Sequence, residues 1–146
     1  MIIADINKIE GRGYSAGRRT RPFAGQGLPI DTERFCMGWV ELEPKGGQVP
    51  WHNQEQEEIY FLLEGTCEMC LGSEREIITG GQVVHISPGQ FHQLTNIGET
   101  SAKMIYCYAP AGEVAHWKQE LTGTLPRAGT QAPPLPRGAH PQHVDK

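Results

Sequence analysis

Four residues of this sequence have the side-chain chemistry and spacing to bind a divalent metal ion. They lie in two polar segments and are His52, Gln54, Glu58 and His92. Imidazole nitrogens and carboxylate oxygens coordinate metals at about 2.0–2.2 Å. Two histidines and one carboxylate leave coordination positions open, which suits iron(II) and reactions of small molecules or dioxygen. The sequence therefore predicts a metal centre formed by His52, Glu58 and His92.

The chain between His52 and Glu58 must bend if both side chains bind one ion. On an unbroken strand, rising about 3.3 Å per residue, these residues would lie roughly 20 Å apart. The polar residues 53–56 therefore predict a bend that returns Glu58 beside His52 at the start of the next strand. Alternation along that strand places Tyr60 on the same side as Glu58, and makes Glu57 face outward.

Short apolar segments separated by glycine indicate many brief strands joined by tight turns. The candidate strands are residues 35–42, 58–63, 66–71, 74–78, 82–86, 91–95 and 103–108. This spacing is typical of an all-β sandwich or barrel. Residues 112–121 carry helix formers and precede Gly123, so they predict one short helix.

The two ends of the chain differ from this β-rich body. Residues 8–31 are rich in Gly, Arg and Pro, which predicts an extended arm or an irregular edge. Three arginines of this segment, Arg18, Arg19 and Arg21, form a basic cluster that could bind carboxylate or phosphate, but a solvated basic arm is the expectation. From Thr124 onward the chain is proline-rich and is expected to be mobile or to lie over a neighbouring surface.

Charge and hydropathy favour small molecules as partners. The formal net charge is -4, and no long block of one sign suggests a nucleic-acid or membrane surface. No apolar segment approaches the ~20 residues that a membrane-spanning helix needs. The first residues lack the features of a secretory signal, so a cytoplasmic location is expected.

Both polar segments match the motifs of a known superfamily. The first segment reads Gly46, five residues, His52-Asn53-Gln54, three residues, Glu58, six residues and Gly65. The second reads Gly81, five residues, Ser87-Pro88-Gly89, two residues, His92, three residues and Asn96. In these residues the sequence resembles the cupin superfamily, as a small single-domain monocupin.

The resemblance implies a double-stranded β-helix, or jelly-roll barrel, over residues 33–110. Residues 1–32 would then form an N-terminal arm, and residues 111–146 a C-terminal helix and a proline-rich tail. The resemblance also implies a metal inside the barrel, held by His52, Glu58, His92 and, in one interpretation, Gln54. A homodimer is common in the superfamily and is expected here.

Two positions depart from the motifs. Ser87 occupies a proline position, and Gln54 replaces the second histidine of the first motif. An amide oxygen is a weaker and harder donor than imidazole for late transition metals. Either Gln54 coordinates the ion through this oxygen, or it lies behind the ligands and hydrogen-bonds a bound water or substrate.

The fold alone assigns no reaction. The open positions of the ligand set lead us to predict a dioxygenase that uses Fe²⁺, with Mn²⁺, Ni²⁺ or Zn²⁺ as other candidate ions, on a small oxygenated organic substrate. The alternatives are a non-redox isomerase, epimerase or lyase, a small-molecule-binding module, and a barrel without metal. Candidate catalytic residues are Gln54, Tyr60 and His85, although a mid-strand histidine such as His85 is more often a satisfied barrel residue.

Overall fold

The structure, a computed structural model, describes residues 1–145 and consists of two β-sheets and one α-helix. A short 3₁₀ turn at Ile6–Lys8 precedes the first strand. The elements that follow are β1 (Arg12–Tyr14), β2 (Arg18–Gly25), β3 (Ile30–Asp31), β4 (Cys36–Leu42), β5 (Gln48–His52), β6 (Glu57–Glu64), β7 (Thr66–Leu71), β8 (Glu74–Thr79), β9 (Val83–Ile86), β10 (His92–Asn96), β11 (Ala102–Ala109) and α1 (Ala115–Thr122). This architecture confirms the expected all-β jelly roll with a short C-terminal helix.

The two sheets enclose a single apolar core. The larger sheet has the strand order β1-β2-β4-β11-β6-β9, with β3 paired to β2, and the smaller has the order β5-β10-β7-β8. Both sheets contribute to the core, for example Leu62 and Met104 from the larger sheet and Leu94 from the smaller. The residues around the metal-ligand candidates are therefore shielded from water on both sides.

Alternation with period two decides which side chains enter the barrel. Along β11 the buried residues are every second one, and β4 shows the same pattern. Tyr106 of β11 lies opposite Gly38 of β4, and a Cβ atom at position 38 would overlap the Tyr106 ring. Glycine at this position lets the tyrosine lie flat against the sheet and form the inner wall.

Residues 8–31 are more regular than the sequence pattern indicates. They contain β2, an eight-residue strand paired antiparallel to β4. Arg18 and Thr20 of β2 point into the barrel and are buried, so polar residues occupy positions where a half-buried strand usually shows apolar ones. The predicted strands also omit β5. All five of its residues are buried, and Pro50 lies in its middle, so its sequence shows no alternation of buried and exposed residues.

The single helix of the described residues begins slightly later than predicted. It spans Ala115–Thr122 and ends at Gly123, which has a φ of 67° and donates from its backbone N–H to the last turn. Left-handed glycine is a common helix terminator. Within residues 1–145 no helix is long and apolar enough to cross a membrane.

The proline-rich tail lies over the outer face of the smaller sheet. The indole N–H of Trp51 donates to the carbonyl of Pro133 at 2.9 Å, and the side chain of Gln93 donates to the carbonyl of His140 at 2.9 Å. Trp51 and Gln93 each adjoin one of the candidate metal-binding histidines in sequence. The tail therefore supports the back of the two strands that carry those histidines.

Glu68 of β7 anchors this tail. Its carboxylate is fully buried and accepts hydrogen bonds from the His140 backbone at 2.8 Å and from Arg75 at 2.8 Å. We expect Glu68→Ala to lower the free energy of unfolding by about 2 kcal/mol, since the His140 backbone and the Arg75 side chain lose a buried, charged hydrogen-bond acceptor. The tail should also become sensitive to proteases. Urea unfolding and limited proteolysis measure both effects.

Glu64→Ala is the matched control. Glu64 contacts Lys103 at 3.2 Å in a largely exposed pair, and exposed pairs contribute less than about 1 kcal/mol. A Glu68→Ala protein as stable and as protease-resistant as the Glu64→Ala protein would contradict the anchoring role.

Candidate metal centre

His52, Glu58 and His92 come together inside the barrel. One nitrogen or oxygen atom from each lies within 4.8 Å of the other two. All three side chains are buried, with exposed fractions of 2%, 5% and 0% respectively. A spacing of this size fits three ligands around one ion, because atoms about 2.1 Å from a common centre are about 3–4 Å apart.

Strands of both sheets position the three side chains. His52 ends β5 and His92 begins β10, and the two residues face each other across the antiparallel pair. Their ring centroids are 4.1 Å apart. Glu58 arrives from β6 in the other sheet, after the predicted bend at residues 53–56. The backbone N–H of Gly89 donates to the carbonyl of Gln54 at 2.7 Å, which joins this bend to the turn that precedes His92.

Both histidine rings are held with one nitrogen directed at the shared point. His52 Nδ1 lies 2.6 Å from the carbonyl of Pro50, and His92 Nδ1 lies 2.9 Å from the carbonyl of Gln90. A carbonyl oxygen only accepts, so each Nδ1 carries the hydrogen and each Nε2 keeps a free lone pair. This orientation by a backbone carbonyl is typical of metal-binding histidines.

The atoms that meet in the centre have no hydrogen-bond partner among the described residues. They are His52 Nε2, Glu58 Oε2 and His92 Nε2. The amide nitrogen of Gln54 is also buried without a partner, but it carries hydrogens and cannot coordinate a cation. His92 Nε2 and Glu58 Oε2 are 3.3 Å apart, but their geometry does not make a hydrogen bond. Each unpaired buried polar atom costs about 1–3 kcal/mol. Two imidazole nitrogens and one carboxylate oxygen form a donor set that fits a divalent cation.

Burial also shifts the protonation of the ligands. Burial lowers the pKa of His52 well below its ordinary value, and the nearby His116 and His92 lower it further. Burial raises the pKa of Glu58, against the opposing effect of His92. The imidazole of His52 is therefore neutral and ready to coordinate at neutral pH, whereas the Glu58 carboxylate needs a positive charge beside it.

The other candidate residues divide between the barrel interior and its surface. Gln54 lies in the bend at residues 53–56 and is buried, and its amide nitrogen has no hydrogen-bond partner among the described residues. Tyr60 is buried and directs its ring edge at His92, with centroids 5.5 Å apart. His85 does not reach the site: its Nε2 lies 2.6 Å from Glu57 Oε1 in an exposed pair. Because Glu58 lies opposite Ile86, the alternation that directs Glu58 inward directs His85 outward, and this candidate catalytic residue lies outside the site.

Three residues that sequence reasoning did not place here form a second polar layer beside the ligands. The His116 ring of α1 stacks on the His52 ring, with centroids 3.8 Å apart and an interplanar angle of 25°. His116 Nδ1 lies 3.0 Å from Glu120 Oε2, and Glu120 pairs with Arg18 at 2.6 Å. Arg18 is only 3% exposed, which corrects the expectation of a solvated arm. The available signal was the i, i+4 spacing of His116 and Glu120, which places both side chains on one face of the helix.

Comparison with known proteins agrees with the fold. The family model described as "Cupin domain" matches residues 38–108. The chain therefore contains a cupin domain. This domain includes Glu58, His92 and most of the barrel strands.

Relatives of the cupin domain include a curated protein and many solved structures. An uncharacterized protein of Methanocaldococcus jannaschii is 34% identical over 70 residues, which is 47% of this chain and 56% of the relative. The match thus spans just over half of that relative's length. An RmlC-like cupin from Shewanella frigidimarina superposes with a TM-score of 0.64 at 15% identity, covering 75% of this chain and 91% of that one.

Two further structural neighbours of the cupin domain are described as enzymes. A recombinant oxalate oxidase in complex with glycolate has a TM-score of 0.63 at 19% identity, over 74% of this chain and 58% of that one. The polyketide cyclase RemF from Streptomyces resistomycificus has a TM-score of 0.62 at 19% identity, over 75% and 79% of the respective chains. At these identities the likeness shows the fold alone.

We expect Glu58→Gln to stabilise the metal-free protein at pH 8. The raised pKa of Glu58 means that its favourable contribution is present at low pH and is lost as the pH rises through the folded-state value. Glutamine carries no charge to bury, so the gain should be on the order of 1 kcal/mol at pH 8 and smaller at pH 5. Thermal unfolding of chelator-treated protein at both values measures the difference.

Glu57→Gln provides the control, because Glu57 is exposed on the same strand and should show no such pH-dependent gain. If the difference in free energy of unfolding between Glu58→Gln and wild type is the same at pH 5 and pH 8, ionising the buried Glu58 carboxylate does not destabilise the protein.

Proposed function

We propose that this cupin domain binds one divalent transition-metal ion through His52, Glu58 and His92 and is an enzyme acting on a small oxygenated organic molecule. The observation that carries the proposal is the convergence of unpaired, buried ligand atoms whose histidine tautomers are already set. A self-satisfied polar cluster would pair these atoms with one another or with the backbone. Here each histidine instead uses its other nitrogen for that purpose.

The donor set favours Fe²⁺, with Mn²⁺, Ni²⁺ or Zn²⁺ as other ions that such nitrogen and oxygen ligands accept. When bound, Fe²⁺ would supply Lewis acidity and one-electron chemistry at positions that the protein leaves open. Because these open positions suit reactions of dioxygen, a dioxygenase is our first choice. The structural neighbours that are described as enzymes share only the fold and do not assign a reaction.

Protein side chains around the centre would exclude water and orient the substrate. Tyr60 closes one side against the His92 ring, and burial raises its pKa well above the ordinary value, so it stays a neutral hydroxyl that can donate a hydrogen bond. Gln54 is placed either to coordinate through its amide oxygen or to hydrogen-bond a water or substrate. The distance from that oxygen to a bound ion, measured in a crystal of loaded protein, separates the two roles.

We expect protein purified without added metal to contain about one metal ion per chain, and His52→Ala and Glu58→Ala proteins to contain almost none. Elemental analysis measures both. His85→Ala is the control, because that histidine is exposed and outside the cluster. Full metal content in both ligand variants would refute the metal site.

The same preparation tests the type of reaction. Protein loaded anaerobically with Fe²⁺ should consume oxygen when small hydroxy or keto acids are added, and protein loaded with Zn²⁺ should not. Equal turnover with Zn²⁺ and without oxygen would favour an isomerase, epimerase or lyase. Ligand recovered unchanged with every ion would favour a binding module.

We further propose that the chain forms a homodimer through the outer face of its larger sheet. Ile59 and Phe61 of β6 and Val83 of β9 are 40%, 37% and 56% exposed, and Phe61 lies directly opposite Val83. Adjacent exposed apolar residues on a sheet are typical of a surface that another chain covers. The tail leaves this face open, since it occupies the outer face of the smaller sheet.

Phe61→Glu should convert the dimer to a monomer at micromolar concentration, because a charge in the centre of an apolar interface is costly to bury. Light scattering coupled to size-exclusion chromatography measures the mass. Ile77→Glu serves as the control, since Ile77 is similarly exposed but lies on β8 of the other sheet. A monomeric wild type would overturn the proposal.

A further inference from the structure

We propose that Arg18 binds the carboxylate group of the substrate, and that Glu120 of α1 occupies this position until the substrate enters. The inference rests on the proposed function in one respect: the substrate is taken to react beside His52, Glu58 and His92. It names the substrate class as small carboxylates that carry a further oxygen able to reach the metal centre.

The Arg18 guanidinium is fixed in place without help from the helix. Its Nε donates to Thr20 Oγ1 at 3.1 Å, and its Nη1 donates to the carbonyl of Gln48 at 3.2 Å. The Tyr14 ring lies beneath it, 4.1 Å from the guanidinium carbon. These contacts come from strands of both sheets. The guanidinium therefore keeps its orientation if the carboxylate that now faces it leaves.

The contact with Glu120 shows that the guanidinium binds a carboxylate. Arg18 Nη1 donates to Glu120 Oε1 at 2.7 Å, and Arg18 Nη2 donates to Glu120 Oε2 at 2.6 Å. Two parallel charge-assisted hydrogen bonds of this length are the preferred geometry of an arginine–carboxylate pair. A substrate carboxylate can make the same two bonds, so the exchange replaces one ion pair with another of the same kind.

The helix that carries Glu120 has polar buried contacts and few apolar ones: Trp117 packs against the core beside Tyr106, and Val114 just before the helix belongs to that core. The buried residues within α1 are His116 and Glu120, and the residue that precedes the helix, Val114, provides no side-chain cap. A buried ion pair contributes little net stability because desolvation opposes the attraction. Elements with few apolar contacts open at low free-energy cost. α1 can therefore leave its position when another carboxylate replaces Glu120.

The cavity beside the metal-ligand candidates is too small for a substrate while α1 is in place. It extends from Arg18 to Glu58 and Tyr60, and His116 and Trp117 of α1 form its outer wall. Its volume of about 20 Å³ has room for about one water molecule. A substrate that enters must displace the helix, which removes Glu120 and leaves the buried Arg18 charge without a partner. A carboxylate on the substrate restores that partner.

The surroundings of Arg18 favour a carboxylate over a phosphate. The remaining wall of the cavity includes Val40, Met104 and Tyr106, which offer no second positive charge. A phosphate monoester carries a charge of about -1.5 to -2 at pH 7, so one guanidinium would leave part of it uncompensated in a buried site. A singly charged carboxylate matches the single charge of Arg18.

Lactate and its neutral amide, lactamide, test the exchange on metal-depleted protein. We expect Glu120→Gln to bind lactate at least about tenfold more tightly than wild type, because the internal competitor is removed. Lactamide affinity should not change. Glu120→Asp, whose shorter side chain makes a poorer pair with Arg18, should show a smaller gain and provides a second measurement if Glu120→Gln does not fold. NMR titration gives the dissociation constants.

Two further variants separate a specific site from a general charge effect. Glu41→Gln frees Arg21, which pairs with Glu41 at 2.8 Å on the outward face of the same strand pair, and should leave lactate affinity at the wild-type value. The double variant Arg18→Met/Glu120→Met replaces the ion pair with apolar side chains, which folded proteins often tolerate. It should bind lactate and lactamide equally weakly.

Unchanged lactate affinity in both Glu120 variants would overturn the inference, as would tighter binding of inorganic phosphate than of lactate in Glu120→Gln. The metal proposal is judged separately from the metal content of the same proteins. If metal-loaded protein binds lactate no more tightly than lactamide, the role of Arg18 is refuted and the metal site stands. Selective lactate binding in protein that never retains metal would refute the metal site and leave the role of Arg18 standing.

Discussion

The unpaired ligand atoms of His52, Glu58 and His92 meet at one buried point, and the rest of the structure is organised around this costly arrangement. Two strands of the smaller sheet hold the histidines side by side, and one strand of the larger sheet supplies the carboxylate. Polar atoms buried without partners oppose folding. The apolar core between the sheets must offset that cost until a cation occupies the centre.

The ends of the chain complete the environment of this centre from opposite sides. At the barrel mouth, His116, Glu120 and Arg18 connect α1 to β2 and place a second imidazole on His52. At the back, Gln93 accepts from the backbone N–H of Trp51 at 3.1 Å and donates to the tail at His140. Both extensions are thus part of the site's support, although neither supplies one of the three converging ligands.

Differences among cupin domains must come from what surrounds the ligands, because one barrel hosts many reactions. In this chain these surroundings include Gln54, in the place of a second motif histidine, and the Arg18–Glu120 pair beside the cavity. A buried arginine–carboxylate pair contributes weakly to stability, so its presence beside the centre is better explained by recognition than by folding. The same pair accounts for a helix whose buried face is polar.

The resemblance to the cupin superfamily predicted the jelly roll. The residues by themselves determined an all-β sandwich or barrel, most of its strands, the bend at residues 53–56 and the convergence of His52, Glu58 and His92. These features follow from local rules: alternation with period two, glycine at turns, and the distance over which ligands can share an ion. Only the tertiary structure decided that Arg18 faces inward, that His85 faces outward and that His116 lies on His52. Arg18 and Glu120 are 102 residues apart in the chain. The sequence of a strand does not show whether water or a distant carboxylate forms the hydrogen bonds of its polar residues. Which of the two does so depends on where α1 folds back over the barrel.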